Sequence, residues 1–129
     1  MTNYDTTYGV HTSHPGCRIV VRFDTTGGRL DRFVVQLQRT DSAATGWETL
    51  AQIDHAPEDP NGHDVYSEGI HVDVYLPNGP EITIWPRHGP LPRSSGALLR
   101  ICADYLETHI DWFRAVAAGD RESDDPPVM

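Results

Sequence analysis

A chain of 129 residues with 38% hydrophobic and 22% charged residues has the size and composition of one globular domain rather than of a disordered segment. Its formal charge of −9, from 19 acidic and 10 basic residues, excludes bulk sequence-independent binding to nucleic acid. Every basic residue is an arginine, so lysine Schiff-base and P-loop lysine chemistry are excluded, and no apolar run is long enough to cross a bilayer.

Residues 1–15 are polar and without periodicity, which predicts a flexible N-terminal arm; with neither a basic nor an apolar leader segment they predict a cytoplasmic protein. A single α+β domain is expected over residues 16–118. Its first strand, 17–24, puts Ile19, Val21 and Phe23 on one face, and its second, 30–39, does so with Phe33, Val35 and Leu37. The TTGGR connection signals a hairpin. A Thr26-Gly27-Gly28 loop would pair Val21 with Phe33 and Ile19 with Val35, keeping one face apolar. Arg18, Arg22 and Arg32 then share the outer face with Arg22 directly opposite Arg32, a pair that needs an anion: Asp24, Asp31, a partner's carboxylate or a phosphate. A third strand is expected over 47–54, after the turn-rich DSAATG.

The stretch from residue 56 to residue 69 reads as a long loop between strands. Beyond it, 70–76 and 80–85 form a second hairpin around Pro77-Asn78-Gly79. That loop pairs Val74 with Ile82 and Val72 with Ile84, and sets His71 beside Trp85 and Tyr75 beside Glu81 on the opposite face. From Ser95 the period turns helical: Leu99, Ala103, Leu106, Ile110, Phe113 and Ala117 form one apolar stripe, capped by Ser94 or Ser95 and stopped at Gly119. Tyr105, His109 and Trp112 flank that stripe and read as its widened edge. The expected fold is an antiparallel five-strand β-meander packed against one long C-terminal α-helix, followed by a disordered acidic tail over 119–129.

Histidines and carboxylates gather on and around the 56–69 loop: Asp54, His55, His63, Asp64, Glu68, His71 and Asp73. Histidine titrates near neutrality and serves as acid, base or metal ligand, and a neighbouring carboxylate orients its ring. His63 and His71 are the candidate acid and base, with Asp73 as orienter. A solvated sheet face accounts for the same residues without any chemistry. Arg18, Arg22 and Arg32 are candidates for phosphate, and Trp85 for stacking a base or sealing a protein interface. No metal signature such as HExxH or an EF-hand, no dinucleotide or Walker loop and no nucleophile elbow occurs, so neither a metal nor a nucleotide cofactor is expected. Cys17 and Cys102 lack zinc spacing and read as two buried thiols.

The stretch QIDHAPEDPNGHDVYSEGIHVDVY, residues 52–75, resembles a family of small uncharacterised prokaryotic domains. More loosely, it is similar to the TumE-like toxin components of toxin–antitoxin pairs. In those, a strand ending in Arg-aromatic-Asp-Asn-Ala leads into a histidine-rich loop; here the run is Gln52-Ile53-Asp54-His55-Ala56, followed by His63 and His71. The resemblance implies a toxin-like component acting on RNA and neutralised by an antitoxin-like partner. The residues alone leave open a second class, a non-catalytic interaction module or homodimer that uses Tyr75 and Trp85.

Overall fold

The computed structural model describes residues 4–41, 46–59, 62–77 and 79–129. Among the described residues six strands form one antiparallel meander in chain order: β1 (Thr6–His11), β2 (Cys17–Thr26), β3 (Arg29–Arg39), β4 (Glu48–His55), β5 (Val72–Val74) and β6 (Ile82–Ile84). Helix α1 (Val65–Glu68) interrupts the β4–β5 connection, and α2 (Ser95–Thr108) and α3 (Ile110–Ala117) close the fold. The α+β meander is as expected, with two corrections.

The first correction is a sixth strand in the N-terminal arm. β1 pairs along its whole length with β2, from Thr6↔Phe23 to His11↔Arg18. Ahead of it, the Asp5 amide donates to the Asp24 carboxylate at 2.6 Å and the Tyr4 ring lies under the Arg32 guanidinium at 4.2 Å. Every side chain of β1 is exposed, so the strand is held by backbone pairing and leaves no apolar alternation in the sequence.

The second correction is a break in the long helix. His109 adopts φ −112° and ψ 30° and separates α2 from α3, although its own N–H still reaches the Tyr105 carbonyl and its carbonyl still accepts from Phe113. The bend lets α2 follow β2 and β3 while α3 lies over β4 of a twisted sheet. The apolar stripe runs through it: Leu99, Leu106, Ile110, Phe113 and Ala117 are all buried, as are Tyr105 and Trp112 at its edge. Ser94 caps α2 by accepting from the Ala97 amide, and Gly119 at φ +79° ends α3.

The helices cover the inner face of the sheet, where Ile19, Val21, Phe33, Val35, Leu37, Ile53, Val72 and Val74 are fully or almost fully buried. Each such side chain contributes about 1.5–3 kcal/mol, so this layer dominates the stability. Cys17 and Cys102 are buried free thiols within it, and burial pushes the Cys102 thiol up to about 12. At the far end of the chain the Tyr105 hydroxyl donates to the Pro127 carbonyl at 2.7 Å and the Met129 amide to the Arg87 carbonyl at 2.9 Å, laying residues 127–129 over α2.

The two hairpins differ in how they keep the faces pure. β5 and β6 pair as expected, Val72↔Ile84 and Val74↔Ile82, though both strands are shorter than expected and Asn78 lies outside the described residues, as do residues 42–45 of the expected turn before β4. In the first hairpin Thr26 faces Arg29 across a Gly27-Gly28 turn, both glycines at positive φ (59° and 80°). A turn of that length alone would bring apolar residues opposite charged ones. A bulge leaves Asp31 unpaired and restores the match, giving Val21↔Val35 and Ile19↔Leu37. The expected Arg22–Arg32 opposition is therefore absent: Arg22 faces Val34, and Arg32 faces Asp24, with which it forms an ion pair.

Candidate functional site

With the helices on the inner face, the chemistry collects on the outer one. Alternation along β4 sends Ile53 inward and Asp54 outward, and β4 pairs with β5 through Gln52↔Asp73. Arg22, Val34 and Asp54 stand in one row across β2 to β4, and His71 and Trp85, each one residue beyond the paired stretch of β5 and β6, continue it, with His71 close to Asp54 on one side and to Trp85 on the other. The neighbouring row holds Val20, Gln36, Gln52, Asp73 and Thr83.

His63 reaches the first row from the loop. The His63 carbonyl accepts from the Ala56 amide at 2.7 Å, so the loop that leaves β4 turns back on itself beside Asp54. Gly62 makes this possible: a Cβ there would fall 2.2 Å from the Ala56 carbonyl oxygen, which no side chain allows. On the other flank Asp64 caps α1 by accepting from the Tyr66 amide, while the Glu68 carboxylate accepts from the Asp64 amide. The Glu68 carboxylate also lies 3.7 Å from His63 Nδ1.

His63 and His71 meet edge to face with ring centroids 4.2 Å apart, and His71 leans on the Trp85 ring at 4.8 Å. Ligand atoms of Asp54, His63 and His71 all lie within 4.8 Å of one another. His71 is 4% exposed and its Nδ1 is buried with no hydrogen-bond partner among the described residues, whereas Trp85 is 54% exposed. Burial holds the Asp54 carboxyl above the usual carboxylate range, against the pull of His63 and His71. The Glu68 carboxyl is held below that range, chiefly by the Asp64 amide.

Of the residues singled out from the sequence, His63, His71 and Trp85 thus come together. Asp73 stands in the neighbouring row, where its carboxylate accepts from the Thr83 hydroxyl at 3.0 Å, and Asp54 completes the cluster in its place. Ile53–Asp54 alternation, together with meander pairing of the third and fourth expected strands, is the signal that identifies Asp54. His55 belongs elsewhere: it points inward, its Nδ1 accepts from the Val65 amide at 3.2 Å, and burial lowers its pKa.

The arginines are spread along the outer face. Arg18 donates to Gln38 and lies over the Trp47 ring, Arg22 donates to Gln36, and Arg32 pairs with Asp24 and stands 3.7 Å from Asp59. The glutamines continue the chain, Gln38 donating to Gln36 and Gln36 to Gln52. Arg22 shares the row of the cluster, about 14 Å from His71 at three strand spacings.

A family model, described as a domain of unknown function (DUF7718), matches residues 1–116. The chain belongs to the DUF7718 family. The match takes in all six strands and the whole cluster and ends within α3 of this DUF7718 domain. No curated protein and no solved structure matches it. None of its described helices is long and apolar enough to cross a membrane.

Proposed function

We propose that this domain is a small RNA-cleaving, toxin-like component whose reaction centre is the Asp54–His63–His71 cluster. The observation that carries the reading is the convergence of two imidazoles and a half-buried carboxylate beside an exposed tryptophan on one sheet face. Trp85 offers a stacking platform for a base, as sheet-surface aromatics do in RNA-binding modules. Arg22, in the same row, offers a guanidinium to a phosphate further along the strand. An acidic chain needs such local recognition, because its overall field repels a polyanion.

The two rings touch, so they do not flank a phosphorus atom from opposite sides as a separate acid and base. They act on one point, where the attacking oxygen is activated and the charge on the phosphate is stabilised. In this reading Asp54 takes the orienting role expected of Asp73.

Induced expression in bacteria tests the proposal, comparing wild type with a variant carrying Asp54→Asn and His63→Ala at matched soluble yield and circular dichroism. Growth arrest with RNA breakdown is expected for wild type alone. Abundant soluble wild-type protein with normal growth and intact RNA would overturn it. A second reading, an interaction module or homodimer, draws on Trp85 at the end of the short edge strand β6. It predicts a solution mass above 14.4 kDa that drops on Trp85→Ala, with no phenotype for changes at His63.

A further inference from the structure

The point on which the two imidazoles converge has the makings of a cation site. Asp54 comes from β4, His71 from the residue just before β5, and His63 from a loop anchored by the Ala56–His63 backbone bond, so the three donors reach one place from a strand, the entry to its neighbour and a tied loop. Bonds of about 2.0–2.2 Å to zinc put tetrahedral ligands roughly 3.3 Å apart. Separations within 4.8 Å close to that value by small side-chain rotations of His63, which is more than a third exposed, and of the half-buried Asp54.

A second observation is independent of the grouping. His71 is packed between His63 and Trp85 with one ring nitrogen desolvated and unpartnered among the described residues. The other buried histidine, His55, has its nitrogen satisfied by the Val65 amide. A buried imidazole that folding leaves unsatisfied is what a ligand held ready for a metal looks like. A third observation concerns His63: the Glu68 carboxylate stands 3.7 Å from its Nδ1, close enough to attract the ring and to tighten to the carboxylate–histidine hydrogen bond common behind metal-bound histidines.

We infer that Asp54, His63 and His71 bind one divalent transition-metal ion, of the zinc, iron(II) or manganese(II) class, with its remaining coordination positions open on the outer face. Two imidazoles and one carboxylate suit zinc and iron(II) best, admit manganese(II) through the carboxylate and open water positions, and do not suit calcium or magnesium, which prefer oxygen ligands throughout. Three protein ligands are the complement of a catalytic site, not of a closed structural one. The inference deepens the reading of the same cluster: a bound ion is the single point on which both rings act, and it lowers the pKa of a bound water so that hydroxide is available near neutrality.

The test uses chelator-treated, refolded-free full chain titrated with Zn²⁺ by calorimetry and with Co²⁺ by visible absorption. One equivalent is expected with micromolar or tighter affinity, together with a d–d spectrum of nitrogen and oxygen ligands. His71→Phe keeps the fold by circular dichroism and melting and lowers affinity at least 100-fold. Asp54→Asn lowers it 10- to 100-fold, and His109→Gln, on the opposite side of the sheet, leaves it unchanged. Folded wild type that binds neither ion, or His71→Phe that binds as wild type does, would overturn the inference. RNA cleavage followed with and without chelator separates the two proposals. Cleavage by a protein that binds no metal removes the ion and keeps the RNA reading; stoichiometric binding with RNA untouched removes the RNA reading and keeps the ion.

Discussion

His55 and His71 are equally well buried, at 3% and 4% exposure, but they lie on opposite faces of the same sheet and are treated in opposite ways. On the inner face His55 is a structural group: its Nδ1 takes the Val65 amide, and its ring packs on Phe33 and Tyr66. On the outer face His71 is wedged between His63 and Trp85 with its Nδ1 unsatisfied among the described residues. The inner arrangement favours folding; the outer one holds a reactive group in place at some cost to folding. A residue type alone does not distinguish these roles, whereas the fate of each ring nitrogen does.

The contrast can be broken or sharpened by substitution. Phe113→Ala, in the middle of the inner layer, should lower the unfolding free energy by about 3–5 kcal/mol in urea titrations. A loss below about 1 kcal/mol would mean that the inner layer is not the core. His55→Phe should cost about 1–3 kcal/mol, because the apolar ring leaves the Val65 amide buried without an acceptor.

The same histidine sets a pH dependence. Burial depresses the folded-state pKa of His55 below 6.5, so the unfolded chain binds the proton more readily. Its contribution is fully present above about 6.5 and is lost as pH falls from there through the folded-state pKa. Urea midpoints measured from pH 8 downward should show this limb in wild type and a shallower one in His55→Phe, where His109, whose pKa burial also lowers, still contributes. On the outer face, His71→Phe in the metal-free chain should be neutral within about 0.5 kcal/mol or slightly stabilising, since it removes an unpaired buried nitrogen. A loss as large as that of His55→Phe would erase the distinction between the faces.

Much of this is legible in the sequence where burial imposes a period. The stripe from Leu99 to Ala117 and the alternation of Val72, Val74, Ile82 and Ile84 are core positions, and the second hairpin has the expected register. What stays hidden has no apolar signature. β1 is exposed on both faces, the bend at His109 leaves the stripe unbroken, and the bulge at Asp31 trades one parity-preserving register for another. At the site, His63, His71 and Trp85 stand out by chemistry, and the expected contact between His71 and Trp85 is present. Asp54 is one carboxylate among several there, and its choice over Asp73 depends on pairing between β4 and β5 across the intervening loop and on the return that Gly62 allows, neither of which carries an apolar period.

The unpaired Asp31 also bears on how such a domain can change length. Removing that one residue would leave Thr25 facing Leu30 and Asp24 facing Arg32, the partners they already have. A deletion there would therefore be absorbed at the hairpin tip, with the loss of the Thr26–Asp31 side-chain bond as its local cost. The row from Arg22 to Trp85 would keep its alignment. Related chains can thus be expected to differ by single-residue insertions and deletions beside Gly27-Gly28 far more readily than between Ala56 and His63, where the length of the return decides whether the imidazole arrives.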